Sequence, residues 1–176
     1  YSDKLPSEVG VEVFYPTKDI HIKNQPKLSI IIPTKDNIDI LLNCVNSIIN
    51  KTKYTNYEII IADTGSEEKN LKEIKDFCED KNNIKLVEFD YYNFAQINNE
   101  VVHDHLSEDS KLVLFCNNDI ELINDAISRV VSTWIKNRRK VGTVGARLHF
   151  EDNTVQHGGM LLWLKKEWVT EGGLSR

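Results

Sequence analysis

The sequence predicts an α/β fold with a mostly parallel central sheet and helices on both of its faces. Three observations lead to this fold class. Short apolar runs rich in β-branched residues alternate with longer stretches of helical period, and each connection between runs is long enough to hold a helix. Several runs also end abruptly in a cluster of polar residues. Strands separated by helices require crossover connections, which make neighbouring strands parallel.

Four apolar runs are predicted to be the strands, at residues 28–32, 57–62, 84–89 and 112–116. The first and the fourth are uninterrupted, as is typical of strands that are buried on both faces of a sheet. After residue 140 two further apolar runs flank Glu151-Asp152-Asn153-Thr154, which predicts a hairpin or a pair of strands joined by a tight turn.

The helices are predicted between these strands from their apolar stripes. Asn37, Asn93 and Asn124 precede three of them and are predicted N-caps, and Gln96 completes a capping-box pattern after Asn93. The stripe of the helix after Asn93 includes residues Phe94, Ile97 and Val101.

Composition limits the function classes. The 176 residues carry a formal charge of −5, which argues against a nonspecific nucleic-acid binder. No apolar run is long enough to span a bilayer, and the N-terminus lacks a signal-peptide pattern. We expect a leader at residues 1–25 with a short strand at 11–14, followed by one domain at 26–176. The three cysteines, Cys44, Cys78 and Cys116, are expected to be buried free thiols.

Three polar clusters follow predicted strands: Pro33-Thr34-Lys35-Asp36, Asp63-Thr64-Gly65-Ser66 and Asn117-Asn118-Asp119. Ligands of open parallel sheets bind beyond the carboxyl ends of the strands. The sequence has no Gly-x-Gly-x-x-Gly and no Gly-Lys-Ser phosphate loop, so a bound diphosphate needs another source of positive charge. A carboxylate such as Asp119 holding Mg²⁺ or Mn²⁺ would supply it. A plain turn at residues 117–119 is the alternative.

Six segments of the sequence together resemble the family-2 glycosyltransferases of the GT-A fold. The resemblance runs from about Pro26 to about Leu162 and favours the branch that builds bacterial surface polysaccharides, such as rhamnosyl- and galactosyltransferase-like proteins. The segments are LSIIIPTKDN at 28–37, YEIIIADTGS at 57–66, NFAQINN at 93–99, LFCNNDIE at 114–121, VGARL at 144–148 and TVQHGG at 154–159.

The resemblance implies roles for particular residues. Asp63 would meet the nucleobase, where its carboxylate can accept the imide N–H of a uracil or thymine. Asp119 would be the metal ligand, with a single acidic residue where the family has an Asp-x-Asp-type motif. The other implied donor nucleotide-binding residues are Pro33, Thr34, Lys35, Asp36, Asn98 and Asn118.

The implied function is transfer of a sugar from a nucleotide-diphosphate sugar to a growing cell-surface polysaccharide, metal-assisted and with inversion. UDP or dTDP is favoured as the nucleotide, and the acceptor would be a glycan or a lipid-linked glycan. We expect a cytoplasmic protein; peripheral association with the inner face of the plasma membrane stays open. The family's catalytic base lies well beyond the Gln156-His157-Gly158 stretch, so we expect it beyond Arg176, with the domain truncated on its acceptor side.

Other readings of the sequence also stay open. A flavodoxin-like receiver shares the alternation of strands and helices, but Asp36 does not provide the acidic pair that a receiver needs after its first strand. A nucleotidyltransferase would call for a glycine-rich loop after the first strand, and residues 33–37 contain no glycine. A non-catalytic nucleotide-sugar-binding module would share the donor half. His157 is expected to be either a structural hydrogen-bonding group or a contact for acceptor or phosphate.

Overall fold

The computed structural model describes residues 22–158 and the backbone of two short strands, Trp163–Leu164 and Trp168–Val169. Most of the predicted leader, including its strand at residues 11–14, lies outside the described residues. No helix in the described part of the chain is long and apolar enough to cross a membrane.

Four parallel strands form the central sheet, as the alternation of strands and helices predicts. They are β1 (Lys27–Thr34), β2 (Tyr57–Asp63), β3 (Ile84–Glu88) and β4 (Ser110–Phe115), in the spatial order β3-β2-β1-β4. Every pairing is parallel, with Thr34 opposite Asp63 at the carboxyl ends of β1 and β2. The carboxyl ends of all four strands therefore lie along one edge of the sheet, which we call the carboxyl edge.

Helices connect the strands. They are α1 (Ile38–Lys51), α2 (Glu68–Glu79), α3 (Phe94–Glu100), which continues into a π-helical turn (Val101–His105), and α4 (Ala126–Asn137). On one face of the sheet, Ile97 and Val101 pack with Ile31 and Ile60 in a fully buried cluster. Phe94 was predicted to join this apolar stripe and is instead half exposed, at the first position of α3.

Burial differs between the inner and outer strands. The isoleucines of β1 and β2 are fully buried, which confirms the prediction made for β1. The prediction that β4 is buried on both faces is wrong, because its burial alternates, leaving Val113 36% and Phe115 56% exposed. β4 is one of the two edge strands of the sheet, with β3 at the other edge. A continuous apolar run alone does not distinguish that position from an inner one.

Two of the three predicted N-caps, Asn37 and Asn93, stand at the N-cap position, and of these only Asn93 caps its helix with its side chain. The Asn93 side chain accepts from the Gln96 amide at 3.1 Å, as predicted. Asn37 precedes α1 but has a left-handed φ of 50°, and its side chain makes no cap hydrogen bond. Asn124 is the wrong cap for α4. The carboxylate of Asp125 accepts instead from the Ser128 amide at 3.4 Å and from the Lys53 amide at 3.1 Å, which ties α4 to the chain that follows α1.

The chain divides into two compact units between Ser128 and Arg129. In the second unit, β5 (Leu148–His149) and β6 (Val155–His157) pair antiparallel. A tight turn joins them, closed by a hydrogen bond of 2.9 Å from the Phe150 amide to the Thr154 carbonyl. The predicted hairpin is thus confirmed, with strands shorter than the apolar runs.

Candidate functional site

The three polar clusters meet at the carboxyl edge. Thr34 links them, because its carbonyl accepts from the Thr64 amide and hydroxyl at 2.9 and 3.0 Å. Its own hydroxyl accepts from the Asn118 side-chain amide at 3.1 Å. The parallel register explains the arrangement: β1 lies between β2 and β4, so the end of β1 touches the segments that follow both neighbours. The sequence predicted this meeting of the clusters, and the structure confirms it.

Asp63 is the most enclosed of the predicted site residues, with only 2% of its surface exposed. Its Oδ2 accepts from the amides of Gly65 and Ser66 at 3.1 and 3.0 Å. Its Oδ1 accepts from the Ser66 hydroxyl. Gly65 has a φ of 94°, a left-handed conformation that glycine adopts without strain, and this lets the loop fold back onto the carboxylate. The orientation of the Asp63 carboxylate is therefore set by the loop that follows it.

The Asp36 carboxylate lies against the N-terminus of α2. It accepts from the Asn70 side-chain amide and from the Glu67 amide, both at 2.8 Å. These two hydrogen bonds hold the pKa of Asp36 below its ordinary value. Glu67 makes no side-chain cap bond of its own, so Asp36 serves as a cap supplied by another loop. The neighbouring Lys35 is exposed.

Asp119 is exposed, and no hydrogen bond from another described residue engages its carboxylate. Among the described residues, no group of three or more histidine, cysteine or acidic side chains is arranged to hold a metal. The cluster Asn117-Asn118-Asp119 contains one acidic residue, so a divalent ion there would have one carboxylate ligand from that cluster. Hard ions such as Mg²⁺ accept that situation when water and phosphate oxygens complete their coordination. Asp119 fits such an ion.

Asn98 is not joined to the three clusters. It is 5% exposed, and its side-chain nitrogen donates to the Phe94 carbonyl at 2.7 Å. Its Oδ1 is buried and has no hydrogen-bond partner among the described residues. A buried carbonyl oxygen that accepts no hydrogen bond costs free energy. A bound group that donates a hydrogen bond to Asn98 Oδ1 would remove that cost.

Two cysteines lie directly behind the third cluster. The thiols of Cys44 and Cys116 both lie within hydrogen-bonding distance of the Asn117 carbonyl, at 3.5 and 3.3 Å. The interaction between the two thiols lowers the pKa of Cys44 and raises that of Cys116. All three cysteines are free thiols, but Cys78 is only half-buried, against the prediction. Nothing in the sequence indicated that Cys44 and Cys116 meet.

His103 and His105 have different partners. His103 hydrogen-bonds to its neighbour Asp104 at 2.6 Å, which raises its pKa, whereas His105 packs edge-on against Phe89. His157 is half-buried at the end of β6, in the second compact unit.

The sequence matches the family described as Glycosyl transferase family 2 over residues 29–172. The chain is 31% identical over 158 residues to the O-antigen biosynthesis protein RfbC of Myxococcus xanthus. It is 34% identical over 146 residues to the uncharacterized protein y4gI of Sinorhizobium fredii. These alignments cover 89% and 81% of this chain but only 12% and 16% of the two relatives. The chain therefore spans a small part of the length of the curated relatives it matches.

Solved structures resemble the fold. A mannosyltransferase from Pyrobaculum calidifontis in complex with GDP-Man and Mn²⁺ aligns with a TM-score of 0.58 at 16% identity, over 73% of this chain and 37% of that protein. GalNAc-T7 with UDP, GalNAc and Mn²⁺ gives 0.58 at 18%, over 67% and 22%. S. aureus TarS 1-349 in complex with UDP-GlcNAc gives 0.51 at 18%, over 64% and 32%. The described sheet and helices thus have the GT-A fold.

Proposed function

We propose that this chain, which belongs to glycosyltransferase family 2, binds the nucleotide-diphosphate part of a sugar donor at the carboxyl edge of its sheet. The protein would pass the sugar to a glycan or lipid-linked glycan of a growing cell-surface polysaccharide, at the cytoplasmic side of the membrane. The observation that carries the proposal is the meeting of three polar clusters at Thr34. Similarity to an O-antigen biosynthesis protein supports the polysaccharide, and the nucleotide complexes of the similar structures support the donor.

Each side chain at this edge has a role in the proposal. Asp63 would accept a ring N–H of the nucleobase, with UDP or dTDP as the nucleotide. Thr34 and Asn118, already hydrogen-bonded to each other, would border the ribose. Pro33 and Lys35 would line the same pocket, and the unpartnered oxygen of Asn98 would accept a donor from the ligand. Asp36 would act indirectly, because its hydrogen bonds to Glu67 and Asn70 would hold α2 and the loop of Asp63 in place.

Asp119 would hold Mg²⁺ or Mn²⁺ together with oxygens of the diphosphate. The bound ion would stabilise the negative charge that develops on the diphosphate as the sugar leaves. A single carboxylate binds such ions weakly alone, so metal and nucleotide should each strengthen the binding of the other. Direct displacement at the sugar carbon would invert its configuration. A positioned base for the acceptor hydroxyl would contribute about 10²–10⁴-fold, and we assign that role to no residue of this chain.

Calorimetric titration of the 176-residue chain with UDP, dTDP and GDP, each with and without Mn²⁺, tests the proposal. We expect UDP or dTDP to bind, with a dissociation constant about tenfold lower or more when Mn²⁺ is present. ADP is the control, since its base offers no ring N–H to Asp63. Absence of binding by every nucleoside diphosphate, at concentrations up to several millimolar, would refute a donor site in this chain.

A further inference from the structure

We infer that Ser66 is a positioning residue, whose hydroxyl orients the Asp63 carboxylate so that it distinguishes nucleobases by their ring N–H. This inference rests on the proposed donor site. Ser66 does not contact the nucleotide directly in that site. Its hydroxyl accepts from the backbone amide of Asp36, which lies 30 positions earlier in the sequence.

The direction of the hydrogen bonds is fixed by their chemistry. The backbone amide of Asp36 donates to the Ser66 oxygen at 2.6 Å, because an amide N–H cannot accept. The hydroxyl proton of Ser66 then points to Oδ1 of Asp63, because a carboxylate oxygen only accepts. A continuous series of hydrogen bonds therefore runs from the Asp36 amide through the Ser66 hydroxyl to the Asp63 carboxylate. Hydrogen bonds arranged in this way polarise and strengthen each other.

Both ends of this series of hydrogen bonds are held in place by further hydrogen bonds. At one end, the Asp36 carboxylate accepts from the Glu67 amide and the Asn70 side chain. At the other end, the loop containing Asp63 is fastened to β1 by two hydrogen bonds from Thr64 to the Thr34 carbonyl. The Ser66 hydroxyl thus joins two fixed supports, and it leaves the carboxylate little freedom to rotate.

In this orientation the Asp63 carboxylate can accept one further hydrogen bond. Oδ2 already accepts two amides and Oδ1 accepts the Ser66 hydroxyl, so Oδ1 keeps one acceptor position. A base with a ring N–H at the pairing edge, such as uracil, thymine or guanine, can donate to it. Cytosine and adenine present a ring nitrogen acceptor at that edge and would be repelled. Without the Ser66 hydroxyl, Oδ1 would have two open positions and no fixed direction.

The experiment compares Ser66→Ala and Ser66→Thr with the unchanged chain and with Ser29→Ala. Ser29→Ala removes a buried hydroxyl that donates to the Glu58 carboxylate at 2.6 Å, near the end of β2 that is opposite Asp63. Dissociation constants are measured at saturating Mn²⁺ for CDP and for whichever of UDP, dTDP and GDP binds most tightly. The quantity of interest is the ratio of the two constants, because a general loss of folding changes both together. Melting temperature is recorded for every variant.

We expect the unchanged chain to prefer the N–H-bearing nucleotide at least tenfold, since one oriented hydrogen bond to a charged group has that magnitude. Ser66→Ala should lower the ratio about five- to tenfold, and Ser66→Thr, which keeps a hydroxyl, should stay within about threefold of the original. Ser29→Ala should lower the melting temperature and leave the ratio unchanged.

The failures of the two proposals are distinguishable. If the unchanged chain binds no nucleotide, the donor site itself is refuted. If it binds without base preference, or if Ser66→Ala keeps the full ratio, the positioning role is overturned while the donor site stands. Should Ser66→Ala fail to fold, Ser66→Cys replaces it, because a thiol is a weaker donor of similar size. An unchanged ratio in Ser66→Cys then overturns the inference.

Discussion

Strand β2 carries two buried carboxylates, one near each end, and their surroundings differ in kind. Glu58 and Asp63 are 5% and 2% exposed. The partners of Asp63 lie two and three residues further along the chain. The partners of Glu58 come from far away: Ser29 donates at 2.6 Å, Ser107 donates through its amide and hydroxyl at 2.9 and 2.7 Å, and Lys85 lies at 3.3 Å.

Glu58 belongs to a region that stabilises the fold, whereas Asp63 belongs to the edge at which we propose that ligands bind. Glu58 ties β1, β3 and the segment before β4 to β2, so its bonds exist only in the folded chain. Burial alone would raise the pKa of Glu58, but the hydrogen bonds from Ser29 and Ser107, with the charge of Lys85, lower it to about 2. The bonds of Asp63 are local, so they stabilise one loop and shape one edge. We therefore expect changes near Glu58 to affect unfolding and changes at the carboxyl edge to affect ligands.

The largest expected effect is at the carboxyl edge. Asp119→Asn should abolish the tightening of nucleotide binding by Mn²⁺, because the amide lacks the charge that holds the ion. The melting temperature should hardly change, since Asp119 is exposed. Calorimetry with and without Mn²⁺ measures the first effect and thermal unfolding the second.

Asp109→Asn is the matched control for Asp119→Asn, with the same chemical change at an exposed position just before the opposite end of β4. It should leave the Mn²⁺ effect intact. If both variants behave alike, or if Asp119→Asn keeps the metal effect, residues 117–119 are only a turn.

The second effect concerns Glu58. Glu58→Gln should lower the free energy of unfolding by about 1–3 kcal/mol, because the buried hydroxyls and amide lose a charged acceptor. Nucleotide affinity should not change. Denaturant unfolding provides the measurement, and Glu88→Gln is the control, since Glu88 pairs with Lys75 at 2.8 Å with both side chains half exposed. An exposed pair contributes under about 1 kcal/mol. Equal losses of unfolding free energy in the two variants would show that the hydrogen bonds of Glu58 stabilise the fold no more than an exposed ion pair does.

The pH dependence of stability sharpens the same contrast. The pKa of Glu58 is lowered from 4.5 to about 2 by folding, so its contribution is fully present above about pH 4.5. It should diminish as the pH falls towards 2, because the unfolded chain then binds the proton more readily than the folded one. The difference in unfolding free energy between the unchanged chain and Glu58→Gln, measured from pH 6 to pH 2.5, should be flat at first and then shrink. A constant difference across this range contradicts the lowered pKa.

The smallest effect is expected at Lys85. Its side chain is 42% exposed, and its ion pair with Glu58 is screened by water. Lys85→Gln should lower the free energy of unfolding by less than about 1 kcal/mol, and added salt should reduce that loss. A loss as large as that of Glu58→Gln would mean that the ion pair, rather than the serine hydrogen bonds, stabilises this end of β2.

The sequence was sufficient for features that depend on local period and on strand direction. The helices and strands and the carboxyl edge follow from such patterns, so Thr34, Asp63 and Asn118 were placed together correctly. Features set by distant contacts were missed. Glu58 looks like any charged residue at the start of a strand, and Cys44 and Cys116 lie 72 positions apart in the sequence. Asp125 was passed over for Asn124 because the cap depends on where α4 meets the chain after α1.

The most direct test of the account maps the nucleotide on the ¹⁵N-labelled chain by NMR, with UDP or dTDP and Mg²⁺ as the diamagnetic ion. We predict amide shift changes concentrated at residues 34–36, 63–66 and 117–119, with the surroundings of Glu58, including Ser29 and Ser107, unchanged. Changes centred on the Glu58 end of the sheet, or changes absent from all three carboxyl-edge segments when the nucleotide is bound, would contradict the claim that this edge is the donor site.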